Sequence, residues 1–336
     1  MAATLRDVAA AAGVSVSTAS RALSGSPEIS EGTRRRVSRA ARSMGYRRNL
    51  AAASLRTRRS GLVGLVLGDL GDTTFHTVVE AVQRHLRASG YQALLCVTDA
   101  DAAVEADCLR LLRDHRVDSV LIAGTGENVK GVDELRAAGI TVIDLIRGAE
   151  GSRGPAVLAA DREGAVTATR HLLAQGHRRI AFVGGPPGTA AGHDRYAGFV
   201  QTLAEAGVTP DPALVCRGPS EGAFGARAMR GLLAVEPAPT ALVLGSNGAA
   251  YGALPVLAGS GVEVPGALSV VAFEDTPLLE WWNPAITVVD TGARELGRLA
   301  AELLLRSVGG QELEPRRYVV GAELVVRAST APPRAP

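Results

Sequence analysis

From Leu62 onward, continuous apolar runs alternate with amphipathic segments: LVGLVLG at 62–68, a helix-like stretch 75–89, YQALLCV at 91–97, a second helical stretch 102–113, then VDSVLIAG at 117–124. ITVIDLI (140–146), RRIAFVGG (178–185), PTALVLG (239–245), ALSVVAF (267–273) and AITVV (285–289) carry the same texture further. Runs apolar at successive positions, rather than at every second one, are buried on both faces. That is the signature of parallel strands covered by helices. One doubly wound sheet would need about ten strands, so two lobes of about five or six are expected. The Gly- and Pro-containing stretch 148–155 predicts a first passage between them.

The pattern before Leu62 is different. In TLRDVAAAAGVSVSTASRALS (4–24), Thr4 and Asp7 have capping-box spacing, and Leu5, Val8, Ala9 and Ala12 share one helical face. Gly13 permits the positive φ of a tight turn, Ser15 can cap a second helix, and Ala19, Ala22 and Leu23 point inward. Ala9 falls where the helices cross and only a small side chain fits. Two such helices form a helix-turn-helix whose outer face presents Ser15, Val16, Ser17, Thr18, Ser20 and Arg21. Hydroxyls and arginine suit phosphate oxygens and base edges, and Arg21 is the candidate base or phosphate contact. An ordinary solvated helix pair is the alternative. Ser30 can cap a third helix with Val37, Ala40, Ala41 and Met44 inward and Arg34, Arg35, Arg36, Arg39 and Arg42 outward; Gly45 ends it. Residues 47–60, RRNLAAASLRTRRS, are either a flexible basic linker or a hinge that becomes helical only on DNA, since two turns are unstable alone.

Charge sharpens this division. Residues 1–59 carry twelve arginines against Asp7, Glu28 and Glu31, a balance of +9; the rest carries 24 basic against 31 acidic residues, −7. A basic module on an acidic body is the footprint of a nucleic-acid head joined to a regulatory domain. The 336 residues are 46% hydrophobic and 21% charged, enough for a large core. Neither a membrane span nor a basic-then-apolar export signal is apparent, so the cytoplasm is the expected compartment. Cys96, Cys108 and Cys216 are too few and too scattered for a disulfide framework or a zinc site.

Motifs for catalysis are not found. GGPPGT (184–189) lacks the ending of a phosphate loop and GTGEN (124–128) is no dinucleotide fingerprint, so both read as strand-to-helix turns. No nucleophile elbow or metalloprotease motif occurs, and the six histidines are scattered, most of them expected at the surface or at caps. No cofactor and no metal are expected. A solute-binding transport protein would share the core but have no use for the basic head; an α/β enzyme would need a nucleophile, metal or cofactor motif.

TLRDVAAAAGVSVSTASRALSG, Ile29-Ser30 through Gly45-Tyr46, GHRRIAFVGGP, RYAGF and LSVVAFED together resemble the lactose-repressor/galactose-repressor (LacI/GalR) family of bacterial transcription regulators over essentially the whole chain. The resemblance implies an all-α helix-turn-helix headpiece (1–46), a hinge helix or linker (47–60) and an α/β core (61–336) of two doubly wound parallel-sheet lobes, like a periplasmic binding protein. The N-lobe is expected at about 61–159 and 290–318, the C-lobe at about 160–289 and 319–330. It further implies a non-enzymatic repressor, a homodimer or dimer of dimers, that binds double-stranded operator DNA and a small effector between the lobes.

Position by position, the resemblance assigns base reading to Val16, Ser17 and Arg21, and backbone contacts to Thr4, Ser15, Thr18, Ser20, Thr33 and Asn49. Within the hinge it adds Ala52 and Leu55, the latter as the minor-groove leucine. Arg48 stands where proline is usual. Effector positions fall on Asp72, Phe75, Arg147, Asp161, Arg195, Asn247, Glu274 and Asp290. Glu274 replaces an aspartate, Asp290 a frequent glutamine, and Ser220 an aromatic that often stacks on the ligand. A pocket that keeps charged hydrogen-bonders but loses stacking surface leaves room for a sugar and argues against a flat purine. For Arg195 the alternative is a structural salt bridge; for Asp72 and Glu274 it is a solvated surface.

Overall fold

The computed structural model describes residues 3–23, 26, 28–46, 59–71, 73–146, 154–185 and 188–334. Residues 1–60 and 61–336 form two compact units.

In the first unit, α1 (Leu5–Ala11), α2 (Val16–Leu23) and α3 (Glu31–Ser43) begin at the expected caps. Thr4 and Asp7 form a reciprocal capping box, with the Thr4 N–H donating to Asp7 Oδ2 at 2.8 Å and the Asp7 N–H to Thr4 Oγ1 at 3.4 Å. Those bonds, the backbone one foremost, hold the Asp7 carboxyl below the usual carboxylate range. The Thr18 N–H donates to Ser15 Oγ at 3.1 Å, and the Thr33 N–H to Ser30 Oγ at 3.4 Å. Gly13 makes the α1–α2 turn at φ +62°, where any side chain would be strained. Val8, Ala9, Ala12, Ala19, Ala22, Val37 and Ala41 form the small buried core.

Two expectations for α3 are corrected. Met44 caps the helix and is 39% exposed, because the chain turns away there through Gly45 instead of adding another inward turn. Arg34 does not reach outward: its Nη2 donates to the carbonyls of Ser26 and Ile29 at 3.0 and 3.3 Å, stapling the loop before α3.

The second unit contains two six-stranded sheets. The N-lobe sheet uses β1 (Leu62–Leu67), β2 (Gln92–Val97), β3 (Ser119–Ala123), β4 (Thr141–Leu145), β5 (Ala156–Ala159) and β11 (Arg317–Val320), in the order β11-β5-β4-β3-β1-β2. All its pairings are parallel, and Leu65 of β1 sits opposite Leu95 and Leu121 of its neighbours. Side chains alternate across β1: Val63, Leu65 and Leu67 face α4 (Thr73–Ala88) and α12 (Ala293–Val308), while Val66 faces α5 (Ala102–Asp114) and α6 (Val129–Ala137). Both faces are dry, hence the unbroken apolar run. GTGEN is the β3–α6 turn, held by the buried Glu105, whose carboxylate accepts from the Thr125 N–H at 2.7 Å and Asn128 Nδ2 at 2.9 Å.

The C-lobe sheet comprises β6 (Ile180–Val183), β7 (Val215–Cys216), β8 (Ala241–Leu244), β9 (Ser269–Phe273), β10 (Thr287–Asp290) and β12 (Glu323–Val325), in the order β12-β10-β9-β8-β6-β7. Only β12 is antiparallel, with Leu324 opposite Val289. It is flanked by α7 (Asp161–Ala174), α8 (Ala190–Glu205), α9 (Gly222–Leu232), α10 (Asn247–Gly259) and the short α11 (Pro277–Trp281). The α9–α10 seam is built on glycine: a Cβ at Gly252 would overlap the Gly222 carbonyl, and one at Gly248 that of Ser220.

The passages between lobes differ from the compositional reading. β5 follows the 148–155 stretch yet still pairs with β4 and β11 in the N-lobe sheet, so the first passage comes at Ala160. A second follows β10 at Thr291–Gly292, and a third lies at Gly321–Ala322, just beyond the expected 318/319 boundary because Tyr318–Val320 still pair with β5.

The chain end is strapped beneath the C-lobe by a histidine whose burial the sequence had not indicated. His177 is 1% exposed; its Nε2 donates to the Ala331 carbonyl at 2.9 Å and lies 3.0 Å from Ser269 Oγ, while Nδ1 lies 3.0 Å from Thr240 Oγ1. His171 holds Thr330 in the same way, Nε2 to Oγ1 3.0 Å. Burial lowers the pKa of both rings, and for His177 the neighbouring His171 adds to the lowering while the Ala331 carbonyl opposes it. A lowered histidine pKa means that the unfolded chain binds more protons. Stability is therefore full above the unfolded value of about 6.5 and falls as pH drops toward the folded value. Denaturant unfolding of the core should show lower stability at pH 5 than at pH 7.5, with a smaller pH difference in His177→Asn. At pH 7.5, His177→Ala should cost about 1–3 kcal/mol through the stranded Ser269, Thr240 and Ala331 groups. A pH difference unchanged in His177→Asn would remove His177 as its source.

Candidate functional site

In parallel sheets, ligand crevices lie beyond the carboxyl ends of strands where the strand order reverses. Here those points are β1/β3 in the N-lobe and β6/β8 in the C-lobe. The segments after β1, β6 and β8 help to line one cleft between the lobes, with about 540 Å³ of empty space including its open mouth. Thr74, Phe75, Ile146, Ala159 and Leu296 contribute from the N-lobe. Thr189, Arg195, Ser220, Ser246, Glu274 and Thr291 are among those facing them from the C-lobe.

A buried charge network forms the C-lobe wall. Arg195, six residues into α8, donates from Nε to Asp161 Oδ1 at 2.6 Å, from Nη2 to Glu274 Oε1 at 2.7 Å, and from Nη1 to the Gly245 carbonyl at 3.1 Å. Its guanidinium also lies over the Phe273 ring, 4.3 Å from the centroid. Glu274 Oε2 accepts from Thr291 Oγ1 at 2.5 Å. Asp161 is the first residue of α7, where the helix dipole favours an anion. Glu274, directly after β9, has φ +73°, a conformation a non-glycine residue holds only under constraint from its surroundings. Burial acts to lower the Arg195 pKa, but Asp161 and then Glu274 outweigh it and hold the guanidinium above its ordinary value. The two acidic side chains thus share the one guanidinium.

The predicted effector residues divide into groups. Phe75, Arg195 and Glu274 line the cleft, and Asp161 stands behind Arg195. Glu274 is 4% exposed, which removes the solvated-surface alternative, whereas the salt-bridge alternative for Arg195 describes bonds that are present. Asn247 is not among the lining residues. It spans the lobes, its Nδ2 donating to Thr73 Oγ1 at 2.8 Å and lying 3.4 Å from Thr74 Oγ1, while its buried Oδ1 has no partner among the described residues. Tyr251 joins the same contact, its hydroxyl 3.3 Å from Thr73 Oγ1; no motif pointed to it, because only the α10 register places it one turn after Asn247. Asp290 is not among the lining residues either; its Oδ1 accepts from the Gly292 N–H at 2.9 Å, at the second passage between lobes. Asp72 and Arg147 lie outside the described residues. Ser220 lines the cleft with its hydroxyl buried and unbonded, the kind of group a polar ligand satisfies.

In the headpiece, Val16, Ser17 and Arg21 are exposed on α2, as are Thr4 and Ser15 at the two caps. Thr18 and Ser20 are half-buried. Thr33 is half-buried and its hydroxyl accepts from Ser30 Oγ at 3.0 Å, a bond that any phosphate contact would have to share. Asn49, Ala52 and Leu55, with Arg48 beside them, lie outside the described residues. Among the described residues no cluster suited to a metal ion occurs, and no helix is long and apolar enough to cross a membrane.

Comparison with known proteins finds two family matches. Residues 4–49 match the family described as bacterial regulatory proteins, lacI family, and residues 169–330 match a periplasmic binding protein-like domain. The HTH-type transcriptional regulator RegA of Clostridium saccharobutylicum is 30% identical over 334 residues, covering 98% of this chain and all of that protein. DegA of Bacillus subtilis is 30% identical, with 98% of each chain covered; the repressor PurR of Vibrio atlanticus is 28% identical, with 97% and 98% covered. Among solved structures, the transcriptional regulator CelR–cellobiose complex is 31% identical with TM-score 0.74, covering 97% of this chain and 99% of that one. The lac repressor dimer bound to operator, at 24% identity, shares the fold with TM-score 0.85 over 98% of this chain and all of that one. The chain belongs to the lacI family of bacterial regulatory proteins and is an effector-responsive, DNA-binding transcriptional regulator.

Proposed function

We propose that this regulator is a repressor, a homodimer or dimer of dimers acting in the cytoplasm, whose operator affinity is changed by an uncharged carbohydrate held between the lobes and not turned over. The observation that carries the ligand class is the network of Asp161, Arg195 and Glu274. With the Arg195 guanidinium already bonded to Asp161, Glu274 and the Gly245 carbonyl, it has little left to offer an anion. The hydroxyls of Thr74, Thr189, Ser220, Ser246 and Thr291 suit a polyol. Phe75 is the one aromatic side chain among the described lining residues, which gives little stacking surface for a purine. The likeness to CelR, solved with cellobiose, supports the same class. In this reading Ser15, Val16, Ser17, Thr18, Ser20 and Arg21 meet DNA, and Asn49, Ala52 and Leu55 belong to the hinge.

The direct test is operator capture from a random duplex library by the full chain, followed by a panel of neutral sugars, sugar phosphates and purines screened for altered operator binding. A neutral sugar should change the affinity; a response confined to purines or sugar phosphates would overturn the ligand class. Arg195→Met should abolish that response and destabilise the core by about 3–5 kcal/mol in denaturant unfolding, because two buried carboxylates lose their counter-charge. Stability within about 1 kcal/mol of wild type would show that water already serves them. Arg21→Ala should lower discrimination at one or two base pairs by about 1–3 kcal/mol on single-substitution operator variants. An unchanged ranking would take Arg21 out of the readout.

A further inference from the structure

We propose that Glu28 is a positioning residue for DNA readout: it holds the Arg21 guanidinium so that α2 selects a guanine, and its removal relaxes specificity at that one base pair. The inference rests on the reading of Arg21 as a base contact.

Arg21 Nη1 donates to Glu28 Oε2 at 3.0 Å, across the loop that joins α2 to α3. Each partner adjoins a residue of the headpiece core. Arg21 rises from the turn of α2 that buries Ala22, and Glu28 precedes Ile29, which packs on the headpiece core. The loop around Glu28 is tied on both sides, by the Arg34 bonds to the Ser26 and Ile29 carbonyls and by the Ile29 N–H donating to the Ser26 carbonyl at 3.2 Å. The carboxylate is thus delivered to a set position beside the recognition helix by a staple that itself never needs to touch DNA.

The chemistry of a guanidinium makes that position informative. Its five N–H donors lie in one plane, so a carboxylate engaging one nitrogen favours certain planes and rotamers of the whole fork over others. A planar fork of fixed orientation matches the O6 and N7 acceptors of guanine, and an unrestrained arginine serves any nearby phosphate as well. Glu28 also offsets one positive charge of a strongly basic face, which lowers binding that depends on phosphates alone. Because both partners are largely exposed, the pair is weak. It biases Arg21 and does not lock it away from the groove.

The experiment compares full-length wild type, Glu28→Gln, Arg21→Ala and the double variant on an operator selected by the wild type, on every single-base-pair substitution of it, and on nonspecific duplex over a salt series. Glu28→Gln should bind nonspecific duplex several-fold more tightly with a steeper salt dependence, and should lose about three- to tenfold of the preference for guanine at one position, a fraction of what a bidentate contact supplies. In the Arg21→Ala background the same substitution should leave base preference unmoved. Equal effects with and without Arg21, or a wild-type ranking for Glu28→Gln, would overturn the proposal while leaving Arg21 as a reader. A wild-type ranking for Arg21→Ala would overturn both.

Discussion

The core is organised by the bridge from Asp161 through Arg195 to Glu274. It joins the first residue of α7, the sixth of α8 and the residue that follows β9, three elements far apart in sequence that the C-lobe fold brings together. Taking three charges out of water is costly unless each is paired and hydrogen-bonded. Further contacts answer that cost: the Gly245 carbonyl on Nη1, Thr291 on the second Glu274 oxygen, and the Phe273 ring under the guanidinium. The strained backbone of Glu274 belongs to the same account, since a left-handed residue at a strand end persists where neighbouring bonds over-determine it.

The C-lobe wall that holds this bridge meets the N-lobe side of the cleft through small polar contacts. The glycine seam of α9 and α10 brings Ser220 against the start of α10, so the unbonded Ser220 hydroxyl and the Asn247 amide are positioned by backbone approach and not by loop conformation. Asn247 and Tyr251 then reach across to Thr73. A hydroxyl shared between two partners at 2.8 and 3.3 Å is readily exchanged for water or ligand, which suits a cleft whose two walls must be able to change their separation.

Much of this was legible in the residues, for identifiable reasons. Long apolar runs betray strands buried on both faces, and caps such as Thr4, Ser15 and Ser30 signal helix starts through short-range chemistry. The strands that escaped were β5, β7, β11 and β12, four residues or fewer in length, where periodicity has too few positions to register; β7, β11 and β12 are also partly exposed sheet edges, whereas β5 is buried between β11 and β4. In the site, Arg195 and Glu274 were found by resemblance, but their mutual pairing was not, because they are 79 residues apart and meet only through topology. Arg34 was misread for a related cause: charge marks a side chain as outward-facing, yet the open carbonyls of Ser26 and Ile29 gave it a better partner than water. His177 shows the same override in a scattered histidine.

The three passages between lobes set an order of events during synthesis. The N-lobe sheet lacks an edge until Arg317–Val320 have been made, and the C-lobe sheet lacks one until Glu323–Val325 follow. The helix-turn-helix, by contrast, is complete by Tyr46. At about 5–20 residues per second, a nascent chain carries a finished DNA-binding head for tens of seconds before either half of its controller can close. Every ribosome making this protein thus displays the reader well before the part that governs it.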